Sequence, residues 1–205
     1  MYTSSLLKLN LKVLAFAGKP GAGKDTAAEI LYDPAKHVHL KFSNVLYDMA
    51  AVLLGMYEPD LSHRKALSDQ EVKKHAVFVA GRKISVREVL QAFDTLKGPL
   101  GENLYIDALT RQLARASYER DISTVIISDL RFPAELDWLR YMGGQLIYVE
   151  RSTPDVDAVL AHVSESHHEL LKSSADYIVE NSGSREELKA RLKAALAGEA
   201  LARVR

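Results

Sequence analysis

The sequence contains no cysteine among its 205 residues, and this absence removes several classes of protein at once. A disulfide framework, a thiol nucleophile and a cysteine-ligated metal site all require that residue. Long apolar runs are also missing: the longest covers residues 49–56, whereas a helix that crosses a bilayer needs about 20 apolar residues. Residues 1–12 lack the basic stretch and long apolar core of a signal peptide. These absences predict a soluble, cytoplasmic protein without a membrane partner.

The chain has no excess of charge of either sign, because 27 basic side chains face 27 acidic ones. Nonspecific binding to DNA or RNA depends on a positive field, so the sequence predicts no nucleic-acid partner. Hydrophobic residues make up 47% of the chain, which is enough to bury the core of one folded domain without further crosslinks. No linker, repeat or low-complexity segment interrupts the sequence. We therefore expect a single domain over residues 1–205.

Short β-branched runs alternate with stretches of helical periodicity along most of the chain. The predicted strands cover residues 12–17, 37–42, 123–128, 145–150 and 176–180. This alternation predicts a three-layer α/β fold, with a five-stranded parallel sheet between helices.

The long interval between the second and third strands is more polar and is predicted to be mainly helical. A capping box at residues 85–88 opens one of its helices, and residues 97–101 break that helix. A second capping box at 184–187 predicts the start of a C-terminal helix, and residues 154–173 are predicted to form two short helices. We expect a core of about residues 10–43 and 122–205, with a helical insert at about 44–121.

A glycine-rich turn, GKPGAGKDT at residues 18–26, lies between the first predicted strand and the helix that follows it. Glycines let the backbone curl so that several N–H groups point at a phosphate, and the helix N-terminus adds positive potential. A lysine at position 24 supplies a mobile charge for the β- and γ-phosphates of a nucleotide. The turn therefore predicts a phosphate-binding loop that uses Gly18, Lys19, Gly21, Ala22, Gly23, Lys24, Asp25 and Thr26.

The loop departs from the usual pattern at Asp25, where a serine or threonine hydroxyl normally binds Mg²⁺. Thr26 is the favoured hydroxyl ligand, with Asp25 close to the metal or to the acceptor. In the alternative, Asp25 binds the metal directly or through water.

Asp129 and Arg131 follow the third predicted strand, at the sheet edge where ligands bind in open α/β folds. An aspartate there can hold a water of the Mg²⁺ shell, and an arginine can clamp a phosphoryl group. The alternatives are a turn aspartate before Pro133 and an arginine paired with Asp129 or Glu135. Asn181, after the fifth strand, either contacts a purine edge or belongs to a plain turn.

Other charged side chains carry weaker signals. Arg87 lies in the first turn of a predicted helix, where a cation opposes the helix dipole unless an anionic ligand is bound. His162, His167 and His168 do not have the spacing of a metal site, and they are predicted to be exposed surface or lid residues.

Several motifs together resemble the deoxynucleoside monophosphate kinases of bacteriophages. These motifs are GKDT at 23–26, ISDLRFPAE at 127–135, GGQLIYVER at 143–151, REVLQ at 87–91 with Thr95, GENLYID at 101–107, HVSE at 162–165 and ADYIVEN at 175–181. The resemblance extends over about residues 13–192, and its most specific element is the SDxRFPxE pattern at 128–135.

The resemblance implies transfer of the γ-phosphoryl group of ATP to a deoxynucleoside 5′-monophosphate, with Mg²⁺, in the P-loop kinase fold. By position, Lys24 and Thr26 serve ATP and metal, and Asp129 serves the metal and, with Arg131, the reacting phosphates. The implied acceptor-binding residues are Asn44, Arg87, Gln91, Thr95, Arg131 and Arg151. The resemblance also implies that residues 152–173 form a lid, and a homodimer is compatible with it. If the source is viral, the enzyme is expected in the host cytoplasm.

The acceptor is the part of this prediction with alternatives. Residues 42–47, FSNVLY, depart from the DPLK-like run expected there, which leaves the base preference open. A P-loop kinase of phosphomevalonate or dephospho-coenzyme A keeps the same fold with another acceptor. A nucleotide-dependent switch or ATPase module is the alternative from a different class, although the NKxD motif of a guanine switch is absent.

Overall fold

The computed structural model describes residues 11–101, 103–151 and 161–198. Its main sheet has five strands in the order β2–β5–β1–β6–β7, and every neighbouring pair is parallel. These strands are β1 (Lys12–Ala17), β2 (His37–Leu40), β5 (Thr124–Ile127), β6 (Gln145–Glu150) and β7 (Tyr177–Glu180). The helices are α1 (Lys24–Leu31), α2 (Asn44–Gly55), α3 (Arg64–Ser68), α4 (Val86–Asp94), α5 (Lys97–Leu100), α6 (Leu104–Glu119), α7 (Pro133–Tyr141), α8 (Ala161–Ser173) and α9 (Arg185–Leu196).

The central strands are apolar on both faces, as a parallel sheet between two helical layers requires. All four residues of β5 and five of the six in β1 are buried. Helices α1 and α9 pack together against one set of strand side chains. That cluster contains Phe16, Ala27, Ala28, Ile126, Ile147, Val149, Val179, Leu188 and Leu192. Helices α7 and α8 pack against each other and against β6 and β1. The predicted α/β sheet with flanking helices is therefore confirmed.

Residues 42–109 form a compact unit distinct from the unit that contains the sheet. This smaller unit holds helices α2–α5 and a two-stranded hairpin of β3 (Ala76–Val79) and β4 (Arg82–Ser85). The sequence predicted no hairpin here. Its turn places Ala80 at a φ of 51°, a left-handed conformation for which alanine gives no sequence signal.

Helix ends follow the sequence closely, with a few corrections. Both predicted capping boxes are present, at Ser85 with Glu88 and at Ser184 with Glu187. Helix α2 begins at Asn44, and α5 forms where a break was predicted. Two short helices were predicted over residues 154–173; helix α8 covers the later part of that range, and residues 152–160 lie outside the described residues.

Helices α7 and α6 are joined by a buried side-chain hydrogen bond. Trp138, the single tryptophan of the chain, is 7% exposed and donates from Nε1 to Thr110 Oγ1 at 3.0 Å. A buried indole N–H needs such a partner, so this bond links α7 to α6 at Thr110. Across the described ranges, no helix is long and apolar enough to span a membrane.

Candidate active site

The glycine-rich loop connects β1 to α1 and is held by the ends of two other strands. Gly18, Gly21 and Gly23 have φ angles of 146°, 76° and 94°, which L-residues with a side chain rarely adopt. A Cβ atom at Gly18 would overlap the carbonyl oxygen of Val149, and one at Gly23 would overlap the side-chain amide of Asn181. Glycine is therefore required at both positions by conformation and by space.

Asn181 is the strand-end residue that secures the loop. Its Nδ2 donates to the carbonyl of Ala22 at 2.8 Å, while its backbone N–H donates to the carbonyl of Glu150 at 2.7 Å. The structure thus brings Asn181 directly to the phosphate loop. Because the Asn181 amide donates a hydrogen bond to the loop backbone, this side chain stabilises the conformation of the loop.

Lys24 begins α1 and folds back over the loop. Its Nζ donates to the carbonyls of Gly18 at 2.8 Å and Lys19 at 2.9 Å. Burial and the positive charge of Arg131 lower the pKa of Lys24 to about 8. A lysine with a depressed pKa in a cluster of cations is an expected feature of an anion site, because bound phosphate restores the charged form.

Asp25, in the first turn of α1, belongs to a chain of polar contacts that reaches the ends of β2 and β5. Its Oδ1 accepts from the hydroxyl of Ser128 at 2.7 Å and from Nζ of Lys41 at 2.6 Å. His39 Nε2 lies 2.9 Å from the same Ser128 hydroxyl. Since that hydroxyl gives its one proton to Asp25, Nε2 of His39 must be the donor to Ser128.

The pKa values in this chain reflect the same contacts. Burial would raise the pKa of Asp25, but hydrogen bonds from Lys41 and Ser128 outweigh it and lower the pKa. Burial and the charge of Lys41 lower the pKa of His39. At neutral pH the carboxylate is therefore charged and the imidazole is neutral.

Asp129 and Arg131 lie just beyond β5, at the same sheet edge as the loop. Asp129 is 7% exposed, and its charge acts on Lys24. Arg131 is exposed and makes no ion pair within the described part of the chain, so the predicted alternative of a pair with Asp129 or Glu135 does not apply. Glu135 instead accepts from the backbone N–H groups of Arg131 and Phe132, at 2.7 and 3.1 Å.

Two histidines of α8 were predicted to be exposed, and this prediction is wrong: both are half-buried. His167 packs edge-on against Phe132, with ring centroids 5.8 Å apart, and His168 packs in the same manner against Tyr148 at 6.5 Å. The buried Nδ1 of His168 has no hydrogen-bond partner among the described residues. Burial and the charge of Lys24 lower the pKa of His168, which therefore stays neutral beside the loop. The side chain of His162 lies outside the described residues.

The remaining predicted residues divide between the two units. Arg151 is exposed directly after β6, and the hydroxyl of Thr26 makes no hydrogen bond within the described ranges. In the smaller unit, Arg87, Gln91 and Thr95 are exposed at intervals of four, which places them on one face of α4 and its C-terminal end. Thr95 Oγ1 donates to the carbonyl of Ala92 at 2.6 Å. Asn44 is buried, with 8% exposure.

Lys41, Ser128, His39 and His168 are the site residues that the sequence did not indicate. Lys41 had one available signal, since it lies near the end of the strand predicted over residues 37–42, whose polar side chains alternate with apolar ones. Ser128 belongs to the SDxRFPxE pattern, but nothing in the sequence indicated its contact with His39, because 89 positions separate them and only the pairing of β2 with β5 brings them together.

Comparisons with known proteins agree with this geometry. The family model of the deoxynucleotide monophosphate kinases matches residues 49–192, which is more than half of the chain but excludes the phosphate loop. No curated protein matches the sequence. Among solved structures, a dephospho-CoA kinase from Campylobacter jejuni is similar with a TM-score of 0.52 and 10% identity. That match covers 91% of this chain and 96% of the other, and at this identity it shows a common fold alone.

The phosphate loop outside the matched range and the family match over the rest of the chain are independent observations that lead to one reaction class. The charges of Arg131 and Asp129, which follow β5, act on Lys24 at the start of α1. The chain belongs to the deoxynucleotide monophosphate kinase family and is an ATP-dependent P-loop phosphotransferase of nucleoside monophosphates.

Proposed function

We propose that this enzyme transfers the γ-phosphoryl group of ATP to a deoxynucleoside 5′-monophosphate at the edge formed by the phosphate loop and the end of β5. The observation that supports this most strongly is the common electrostatic environment of Lys24, Arg131 and Asp129. Two cations and a buried carboxylate beside a glycine-rich loop are the set that phosphoryl transfer uses for positioning and for neutralising charge.

In the proposed mechanism the protein supplies no nucleophile. An oxygen of the acceptor phosphate attacks the γ-phosphorus in line, and ADP leaves from the opposite side. The loop N–H groups hold the donor phosphates, and Lys24 turns from the loop carbonyls to the β- and γ-phosphates. Arg131, which has no ion pair in the described chain to break, neutralises the transferring group.

The residues at the site fit a Mg²⁺ ion of the kind that kinases use. Mg²⁺ keeps several waters and takes one or two protein ligands plus substrate phosphates, so it needs no dedicated cage of side chains. Thr26 offers an uncommitted hydroxyl, whereas Oδ1 of Asp25 is already engaged. We assign Thr26 as the direct ligand and Asp129 as the carboxylate that holds a water of the metal shell. When bound, the ion would neutralise charge on the β- and γ-phosphates.

For the acceptor, we propose that the exposed face of α4 provides the recognition groups. Arg87, Gln91 and Thr95 combine a cation with amide and hydroxyl groups, which suits a phosphate and a base on one ligand. Asn44 and Arg151 complete this proposed set. The chain then acts as one kinase domain, with residues 44–121 as acceptor insert and 152–173 as lid.

The setting of the enzyme is part of the same proposal. The bacteriophage-type motifs favour a viral origin and action in the host cytoplasm. The net charge of zero supports small-molecule substrates over nucleic acid. A homodimer is compatible with the family, and analytical ultracentrifugation at micromolar concentration would measure the oligomeric state.

The test is ADP release from ATP and Mg²⁺ with a panel of deoxy- and ribonucleoside monophosphates. Turnover with at least one deoxy acceptor is expected, and Lys24→Met should reduce it by at least about 1,000-fold because charge stabilisation of this kind is the main contribution to rate. The far-ultraviolet circular dichroism of the variant should match wild type. Turnover confined to dephospho-coenzyme A or phosphomevalonate, or ADP release that no acceptor changes, would overturn the proposal.

A further inference from the structure

We propose that Lys41 binds the phosphate group of the acceptor nucleotide and that Asp25 holds it in place for this role. The inference rests on the proposed function and adds to it a residue that neither the motifs nor the family match identifies. It starts from the ion pair between Lys41 and Asp25 beside the phosphate loop.

The order of strands indicates on which side of the loop the acceptor phosphate lies. The loop follows β1, with β6 and β7 on one side and β5 and β2 on the other. Toward β6 and β7, the residue that touches the loop is the neutral Asn181, and one cation, Arg151, directly follows β6. Toward β5 and β2, the strand ends carry the cations Arg131 and Lys41. A second phosphate that approaches the γ-phosphoryl group is therefore favoured on the β5 and β2 side.

The ammonium group of Lys41 retains the donors that this role needs. Its one described contact is with Asp25 Oδ1 at 2.6 Å, whereas an ammonium group carries three N–H donors. The side chain is 34% exposed, so the other donors are open to a ligand. The charge of Lys41 also lowers the pKa of Lys24, which places the two ammonium groups in one electrostatic environment.

The contacts behind Asp25 explain how Lys41 is oriented. Ser128 donates to the same carboxylate oxygen, and His39 in turn donates to Ser128. This chain fixes the carboxylate, and the carboxylate fixes the ammonium group, so binding loses little side-chain freedom. Asp25 also offsets the charge of Lys41 until an anionic acceptor arrives. In this arrangement Lys41 touches substrate, and Asp25 is a positioning residue.

The test compares Lys41→Met with Lys36→Met, an exposed lysine at the opposite end of β2. Both KM values and kcat are measured with ATP and the deoxynucleoside monophosphate that wild type uses best. A charge-assisted hydrogen bond contributes a factor of about 10 to 100, so Lys41→Met should raise the acceptor KM by that factor and the ATP KM less than about threefold. Lys36→Met should change neither value, and Lys41→Arg should restore most of the acceptor affinity.

Equilibrium binding separates phosphate recognition from other effects. Calorimetric titration with the monophosphate should show the same loss of affinity in Lys41→Met, while titration with the corresponding nucleoside should show none. Equal losses for both ligands, or an unchanged acceptor KM, overturn the inference.

The double variant Asp25→Asn with Lys41→Met tests the simpler role, in which Lys41 only neutralises Asp25. If that role is correct, adding Lys41→Met to Asp25→Asn should leave the acceptor KM at the value of Asp25→Asn alone. This result would make the inference wrong. We expect the defect of Lys41→Met to persist. If wild type itself uses no nucleoside monophosphate, the proposed function fails, and this outcome is distinct because it precedes any comparison of variants.

Discussion

The two sides of the phosphate loop are built in different ways. On the packed side, Gly18 and Gly23 lie against Val149 and Asn181, with no space for another atom. On the charged side, Asp25, Lys41, Ser128 and His39 are joined by polar contacts of 2.6 to 2.9 Å. Close packing allows one arrangement, whereas the ion pair of Lys41 with Asp25 leaves further N–H donors of the ammonium group open to a ligand. The loop thus has a rigid side that sets its shape and a charged side that can respond to substrate.

The largest expected effect comes from disturbing the packed side with Gly23→Ala. The new methyl group enters a left-handed backbone conformation and displaces the Asn181 amide from Ala22. Strain and the lost hydrogen bond together should lower the free energy of unfolding by about 3 kcal/mol. Urea denaturation measures this change. In an Asn181→Ala background the same substitution should cost about 1 kcal/mol less, and equal costs in both backgrounds would contradict the packing argument.

A smaller expected effect is the uptake of protons by Lys24 when ATP binds. With a pKa of about 8, Lys24 is half deprotonated at pH 8, and bound phosphates favour its charged form and raise the pKa. ATP binding should therefore take up about half a proton at pH 8, and this contribution should vanish well below pH 7, where Lys24 is already protonated. Calorimetry in buffers of different ionisation enthalpy measures the uptake. Lys24→Arg is the control because its charge does not titrate, and undiminished uptake by that variant would contradict the assignment.

The smallest effect concerns the unpartnered nitrogen of His168. His168→Phe keeps a ring against Tyr148 and removes the buried Nδ1, so the free energy of unfolding should rise by about 1 kcal/mol. The matched control is His37→Phe, because Nδ1 of His37 lies 3.0 Å from both the backbone N–H of Asp33 and the carbonyl of Leu31, and the loss of this partnered nitrogen should destabilise. Thermal denaturation of both variants checks the prediction. Equal destabilisation by the two would mean that His168 has a partner.

The same contrast explains how much of the site the sequence could predict. Glycines at 18 and 23 carry a local signal, because their conformational freedom and the flanking strand and helix can be read within a few positions. The apolar strands and both capping boxes can likewise be recognised from residues a few positions apart in the sequence. The charged side depends on which strand lies beside which, and that information is not local: β2 pairs with β5 across more than 80 residues.

The smaller unit shows another limit. The hairpin of β3 and β4 has charged residues at 82 and 83 and a turn of Ala80 and Gly81, a pattern that also suits an irregular polar connection. Its strands pair with each other, and the apolar Val77 of β3 is buried. The two histidines of α8 were misjudged for a related reason. Their burial depends on Phe132 and Tyr148, which belong to other elements.

The bond between Trp138 and Thr110 gives the protein a built-in optical reporter. A single buried indole dominates the intrinsic fluorescence of a chain with no other tryptophan, and both partners lie in the unit that contains the sheet. Its emission maximum therefore follows the melting of that unit and is silent about residues 42–109. Compared with circular dichroism on the same sample, this one signal can show whether residues 42–109 loosen before the unit that contains the sheet does.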